Sequence, residues 1–91
     1  MTVRFTVYSR PACHLCDVLV DELRDQTAGA DVRIEVVNVD DDPALRSAYG
    51  VDVPVLVADG EELCRHRLDR TRVAAWLRAA GCNGEAAADS A

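Results

Sequence analysis

Two cysteines separated by two residues are the feature of this sequence best suited to chemistry. The motif Cys13-His14-Leu15-Cys16 follows residues 3–8, which alternate apolar and polar side chains, and it precedes a segment with helical periodicity. The pair therefore lies where a strand leads into a helix. Main-chain N–H groups are unpaired at a helix start and favour the thiolate of the first cysteine, which is the nucleophilic form. The second cysteine, one turn along on the same face, can attack the mixed disulfide that the first one forms.

Arg10 is a further candidate residue, because it stands three positions before Cys13 and can add positive charge near that sulfur. A nucleophilic thiol, a resolving thiol and an electropositive helix end are the requirements of dithiol–disulfide exchange. The spacing therefore predicts that Cys13 and Cys16 are the catalytic residues of a thiol–disulfide oxidoreductase.

A structural zinc site is the main alternative, since C-x-x-C is also half of many zinc sites. The remaining ligands would have to come from His14, Cys64, His66 or Cys82, and the two later cysteines do not form a second closely spaced pair. We therefore expect no metal site, although a small zinc-binding protein stays open as an alternative. Cys64, on the last predicted strand, is expected to be a small buried or half-buried apolar residue rather than a third redox thiol.

Hydrophobic periodicity and turn residues predict the elements that position these side chains. Strands are predicted over residues 3–8, 32–39, 51–57 and about 62–67. Helices are predicted from the cysteine pair to near Ala28-Gly29, over residues 44–49 and over about 70–80. Asp59-Gly60 is a hairpin turn signal between the last two strands.

The element order β-α-β-α-β-β-α predicts an α/β fold, in which a four-stranded mixed sheet carries three helices on its two faces. Strands joined by helices should run parallel, and the hairpin strands antiparallel. Aspartates should cap the later two helices, and Gly81 should end the last one. The first helix carries a stripe of residues at helical spacing, which are Leu15, Val18, Leu19, Glu22 and Leu23. Three residues of the last helix should point inward, which are Val73, Trp76 and Leu77.

Length and composition limit the possibilities further. The 91 residues are 49% hydrophobic and 29% charged, which suits one small globular domain over residues 1–80 and a disordered tail over residues 81–91. The net charge is −6 and every basic residue is Arg, so we expect no nucleic-acid or membrane partner. No apolar run could cross a membrane and the N-terminus does not resemble a signal peptide, so we expect a cytoplasmic monomer.

Pro54 is unusual because it stands among β-branched residues, where a central strand does not accept proline. It suits the first residue of a strand whose preceding main chain is held exposed. A cis Val53–Pro54 bond would serve this purpose, although only about 5–6% of X–Pro bonds in folded proteins are cis.

The sequence resembles the glutaredoxins of the thioredoxin superfamily over about residues 1–80. The resemblance rests on Tyr8-Ser9-Arg10-x-x-Cys13-x-x-Cys16 after the first strand, and on Val53-Pro54 before a β-hairpin and a final helix. It is strongest toward short bacterial glutaredoxin-like proteins with a Cys-His-Leu-Cys motif. It implies a thioredoxin/glutaredoxin-like fold and thiol–disulfide exchange with protein or low-molecular-weight disulfides, as part of cell redox homeostasis.

The resemblance also implies roles for individual residues. Cys13 would be the exposed nucleophile and Cys16 the buried resolving thiol of a redox-active disulfide. Arg10 would replace the basic residue that meets a glutathione carboxylate. Pro54 would be cis, and the main chain of Val53 would pair with a bound substrate. No cofactor would be bound permanently, and a thiol such as glutathione would supply the electrons.

Two departures from the family pattern concern glutathione. The usual Pro-Tyr between the cysteines is His14-Leu15, and the usual Gly-Gly before the last helix is Arg67-Leu68. Glycines there let glutathione approach the main chain closely. Asp69 could meet the glutathione amine, and it is equally explained as a helix N-cap. We therefore expect weak glutathione recognition, and a binding module of the same fold with little turnover stays open as an alternative.

Overall fold

The computed structural model describes residues 2–81, which form four strands and three α-helices in the predicted order. The elements are β1 (Val3–Ser9), α1 (His14–Gln26), β2 (Val32–Asn38), a 3-10 helix (Val39–Asp41), α2 (Pro43–Tyr49), β3 (Val55–Ala58), β4 (Glu61–Arg65) and α3 (Arg70–Ala80). The four-stranded mixed sheet and the three helices are therefore confirmed. The predicted disordered tail lies, apart from Gly81, outside the described residues.

The sheet has the strand order β2-β1-β3-β4. β1 pairs with β2 in parallel and with β3 antiparallel, and β3 and β4 form the predicted hairpin around Asp59-Gly60. The expectation that helix-joined strands run parallel is confirmed for β1 and β2 but wrong for β2 and β3. The seven residues of α2 span only about 10 Å, against about 23 Å for the seven of β2. Because α2 does not return to the start of β2, β3 begins at the end of the sheet where β2 finishes.

One face of the sheet carries the main hydrophobic core. Alternate residues of β1 are buried, and their neighbours across the ladder with β3 lie on the same face. Helices α1 and α3 cover this face with apolar side chains. Each fully buried side chain of this kind stabilises the fold by about 1.5–3 kcal/mol. The core contains Val3, Phe5, Val7, Leu19, Leu23, Leu56, Ala58, Leu63, Val73 and Leu77.

The opposite face is covered at one end by α2. The ring of Tyr49, the last residue of α2, stacks on the ring of Tyr8 in β1, with ring centres 4.6 Å apart. Tyr8 follows the buried Val7 in the strand, so its side chain points to the other face. The helices therefore lie on both faces of the sheet, as the element order predicts.

Three local expectations differ from the structure. Leu15 and Val18 belong to the predicted helical stripe, yet 46% and 37% of their surfaces are exposed, because this side of α1 faces a groove rather than the core. Trp76 is only partly buried at the core margin, and its indole N–H donates to Asp59 at 3.3 Å. The third strand begins at Val55, since the preceding residues form a turn in which Val51 is 93% exposed.

The predicted helix boundaries are explained by capping. Asp42 and Asp69 accept hydrogen bonds from main-chain N–H groups in the first turns of α2 and α3. Gly81 ends α3 in the left-handed region, with φ 73°. The helix start after Cys13 is capped differently, and it forms the candidate site.

The same substitution at two positions of α1 tests this assignment of the buried face. Leu23 is fully buried, so Leu23→Ala should lower the free energy of unfolding by about 2–5 kcal/mol. Leu15→Ala removes the same atoms from an exposed position and should cost roughly 0.5 kcal/mol or less. Urea unfolding of the oxidised protein measures both. Equal losses would show that the buried face of α1 is assigned wrongly.

Candidate active site

Cys13 and Cys16 form a disulfide at the N-terminus of α1, with their Cα atoms 5.3 Å apart. Cys13 is the N-cap of the helix and has an extended main chain, with φ −103° and ψ 104°. Its Sγ accepts a hydrogen bond from the main-chain N–H of Cys16 at 3.2 Å. A sulfur therefore occupies the position that a side-chain oxygen takes at most helix starts, facing the unpaired N–H groups.

The two sulfurs differ in accessibility. Cys13 is half-buried, whereas Cys16 is only 2% exposed. Cys16 shares its buried face of α1 with Leu19 and Leu23, which follow it at helical spacing. An incoming thiol or disulfide can therefore reach Cys13 far more readily than Cys16.

Arg10 lies in the turn between β1 and α1, where its side chain is fixed by two partners. Its Nε lies 3.1 Å from Oδ1 of Asp40 and donates to Oδ2 at 3.4 Å, while Nη1 donates to the carbonyl of Gly50 at 3.3 Å. Asp40 belongs to the 3-10 helix and Gly50 follows α2. The guanidinium thus ties these segments to the turn, and its positive charge is shared with Asp40. The sequence pattern did not predict these partners.

The Val53–Pro54 peptide bond is cis, as the resemblance implies. Pro54 is buried, and its carbonyl accepts a hydrogen bond from the N–H of His66 at 2.7 Å. Among residues 2–81, the main chain of Val53 has no hydrogen-bond partner, so its N–H and C=O remain available. Val55 pairs with Tyr8 near the end of β1, so Val53 and Pro54 lie at the end of the sheet from which the chain continues to Cys13.

A polar network that sequence reasoning missed supports the segment before Pro54. Asp52 accepts from Arg65 at 2.7 Å and lies 3.4 Å from Nε2 of His66. Arg65 also donates to Glu62 at 2.6 and 3.0 Å, and its guanidinium lies 5.8 Å from the ring centre of Tyr49. The hydrogen bond from Arg65 lowers the pKa of the Glu62 carboxyl. The network joins β4 to the turn that precedes β3.

A groove of about 250 Å³ lies between the start of α1 and the segment before α3. This volume is below the roughly 300–1,000 Å³ of sites for drug-sized ligands, so the groove suits a single side chain. Arg67 and Leu68 are on one wall, so side chains occupy the position at which the glutaredoxin resemblance implies glycines. His66 precedes them with φ 70°. The groove is lined by Leu15, Val18, Leu19, Glu22, His66, Arg67 and Leu68.

The other candidate residues take structural positions. Asp69 caps α3 by accepting from the N–H of Arg72 at 3.0 Å, which is the simpler of its two expected roles. Cys64 is half-buried against the core, as expected, and burial raises the pKa of its thiol. A raised pKa reduces the thiolate fraction, so Cys64 is a weaker nucleophile than an ordinary cysteine. Cys82 lies outside the described residues.

No group of three or more Cys, His, Asp or Glu side chains between residues 2 and 81 is placed to hold a metal ion. In the same part of the chain, no helix is long and apolar enough to cross a membrane.

Comparison with known proteins identifies the family. The model of the glutaredoxin-like domain (DUF836) matches residues 4–78, which is most of the chain. The chain belongs to this family. No curated protein matches it.

Solved structures agree with the assignment to the glutaredoxin-like domain family. An NMR structure of a Nitrosomonas europaea protein is 34% identical, with 81% of this chain and 89% of that chain covered and a TM-score of 0.74. An X-ray structure of an X. campestris protein is 42% identical and has a TM-score of 0.64. The match covers 82% of this chain and 96% of that chain. Thioredoxin 1 from Thermosipho africanus is 16% identical, with coverages of 86% and 98% and a TM-score of 0.58, and shows the shared thioredoxin fold alone.

Proposed function

We propose that this glutaredoxin-like protein is a thiol–disulfide oxidoreductase that reduces protein or low-molecular-weight disulfides. The observation that carries the proposal is the pairing of an accessible Cys13 at a helix N-cap with a buried Cys16 one turn further on. The helix start favours the thiolate of Cys13 once the disulfide is reduced. We place the activity in the cytoplasm, where thiol pools keep such pairs reduced.

The exchange proceeds in two steps in which atoms and electrons balance. The thiolate of Cys13 attacks one sulfur of the substrate disulfide, the substrate S–S bond breaks, and the departing thiolate takes up a proton. Cys16 then loses its proton and attacks the Sγ of Cys13, which breaks the mixed disulfide and releases the second substrate thiol. Two electrons pass from the cysteine pair to the substrate. Two equivalents of a small thiol such as glutathione return them and become that thiol's disulfide.

Val53 is the proposed anchor for the substrate main chain. Its N–H and C=O have no partner among the described residues, and the cis bond to the buried Pro54 fixes the main chain beside them. An extended substrate segment could form hydrogen bonds with both groups, as an added strand does at a sheet edge. Such pairing would hold the substrate disulfide in position for Cys13.

Glutathione is a poor fit to the same site. Arg10 is held by Asp40 and Gly50, and redirecting it to a glutathione carboxylate would break those contacts. Arg67 and Leu68 place side chains in the groove beside α1. We therefore propose that glutathione serves as a weakly recognised reductant or co-substrate, and that disulfides on larger partners are the main substrates.

The roles of the two cysteines can be separated by single substitutions. Cys13→Ser should abolish disulfide reduction, because it removes the accessible thiol at the helix start. Cys16→Ser should retain the first attack and accumulate a mixed disulfide, which mass spectrometry detects. Cys64→Ser is the matched control and should leave turnover within about twofold. Unchanged turnover in Cys13→Ser would refute the proposal, and absence of turnover in the wild type would favour the binding-module alternative.

Glutathione recognition can be tested at the groove wall and at Arg10. Replacing Arg67 and Leu68 together by glycine should lower the KM for a glutathione mixed disulfide, since it removes the side chains from the groove. Arg10→Ala should raise that KM by less than about tenfold, because a hydrogen bond to a glutathione carboxylate, worth roughly 1.5–3 kcal/mol, is partly offset by the contacts with Asp40 and Gly50 that Arg10 gives up to form it. Arg78→Ala, an exposed position of α3, is the control for Arg10→Ala. Wild-type kinetics equal to those of an ordinary dithiol glutaredoxin, with no gain from the two glycines, would contradict this account.

A further inference from the structure

The two edges of the sheet differ in how they are protected against pairing. β4 is a short edge strand of five residues, and its register against β3 is interrupted by a bulge. β2 has seven residues in unbroken register with β1, and its other side forms the second edge of the sheet. A long, regular edge presents free N–H and C=O groups that can pair with another strand. The β2 edge is therefore better suited than the β4 edge to pair with a strand of another molecule.

The main-chain groups at this edge can be identified from the register. Val3 donates its N–H to the carbonyl of Asp31 at 3.1 Å. In a parallel ladder alternate residues bond to the neighbouring strand, so Arg33 and Glu35 direct their main-chain groups to β1. Ile34 and Val36 consequently direct theirs outward, away from the sheet.

Apolar and charged side chains alternate symmetrically about Ile34 in β2, with opposite charges at Arg33 and Glu35. Val32 and Val36 lie on the core face with Ile34 between them, and Val36 is 48% exposed. Arg33 and Glu35 lie on the opposite face, and both are exposed. Neither forms an ion pair with another residue in the part of the chain that the structure describes.

We propose that β2 pairs antiparallel with β2 of a second copy of this chain, about a two-fold axis through Ile34. The two sheets then join into one sheet of eight strands. In this register Arg33 lies opposite the partner's Glu35, twice by symmetry, and Val32 lies opposite the partner's Val36. The arrangement is self-complementary, as an isologous dimer interface requires.

The geometry of an antiparallel ladder fits this register. The outward groups of Ile34 make it a hydrogen-bonded pair with its symmetry mate, at a Cα separation of about 5.5 Å. Arg33 and Glu35 then fall in non-hydrogen-bonded pairs at about 4.5 Å, where side chains approach most closely and opposite charges stabilise the pairing. An axis through Arg33 or through Glu35 would instead place identical charges opposite each other. Charge therefore favours the axis through Ile34 over these two alternatives.

The groove beside this edge is consistent with the same partner. It lies between β2 and α1, has a volume of about 380 Å³ and contains both acidic and basic side chains. Two copies that face each other can therefore bring side chains of opposite charge together. Its lining includes Val36 and Val20 with Asp17, Asp21 and Arg24. A single strand pair is a small interface, so the dimer should depend on protein concentration. The inference replaces the expected monomer and does not rest on the proposed redox activity, although Cys16 also lines this groove.

Charge reversal at two positions tests the dimer directly. Sedimentation equilibrium of the wild type, over a range of concentrations and with reductant present, should show a reversible monomer–dimer equilibrium. Reductant removes any dimer that depends on an intermolecular disulfide. Arg33→Glu and Glu35→Arg each create two pairs of like charges and should weaken association by about tenfold or more. The double variant restores opposite charges and should return the association constant to near the wild-type value.

Two controls make the outcome decisive. Glu61→Arg reverses a charge on the β4 edge and should leave association unchanged. Hydrogen exchange at the Ile34 N–H should slow as wild-type concentration rises, whereas exchange at Arg33 should not change. A wild type that stays monomeric over the whole range would overturn the proposal. So would association that the double variant fails to restore, or that Glu61→Arg weakens as much as Arg33→Glu does.

Discussion

The start of α1 is the constraint on which the rest of the site depends. Because the helix begins at His14, Cys13 is its N-cap and directs its sulfur toward the main-chain N–H groups of the first turn. The same starting point places Cys16 on the face that carries Leu19 and Leu23 into the core. The difference in accessibility between the two cysteines follows from where the helix begins. No additional residue is needed to create it.

Two segments without regular secondary structure complete the site, and a hydrogen bond connects them. One is the turn before β3, which contains Pro54, and the other is the segment before α3, which contains His66. The carbonyl of Pro54 accepts from the N–H of His66, and Asp52 contacts the side chains of Arg65 and His66. The wall beside the cis bond is thus held by the hairpin and by the turn before α3. Ala12 and His66 both have positive φ, at 57° and 70°, which costs roughly 1–3 kcal/mol for such residues. The packed sheet and helices supply the stability that keeps both residues in these conformations.

The features that sequence predicted are those determined by near neighbours in the chain. Strand alternation, the caps at Asp42 and Asp69 and the turn at Asp59-Gly60 each depend on a few adjacent residues. The direction of β3 depends on the length of α2, which periodicity gives only approximately. A two-residue turn at Asp59-Gly60 would place Cys64 opposite Val55, but the bulge in the hairpin places Arg65 there instead. The ion pairs of Arg65 therefore could not be predicted from spacing.

The central claim is that the helix start makes Cys13 a reactive thiol, and the pKa of that thiol tests it most directly. The rate of alkylation of Cys13 in the reduced protein, followed against pH by mass spectrometry, gives this pKa separately from that of Cys64. We expect the Cys13 thiol to titrate below the ordinary cysteine value of about 8.5, with Cys64 titrating above it. A Cys13 pKa at or above about 8.5 would contradict the account and would favour a binding module that retains the fold without the chemistry.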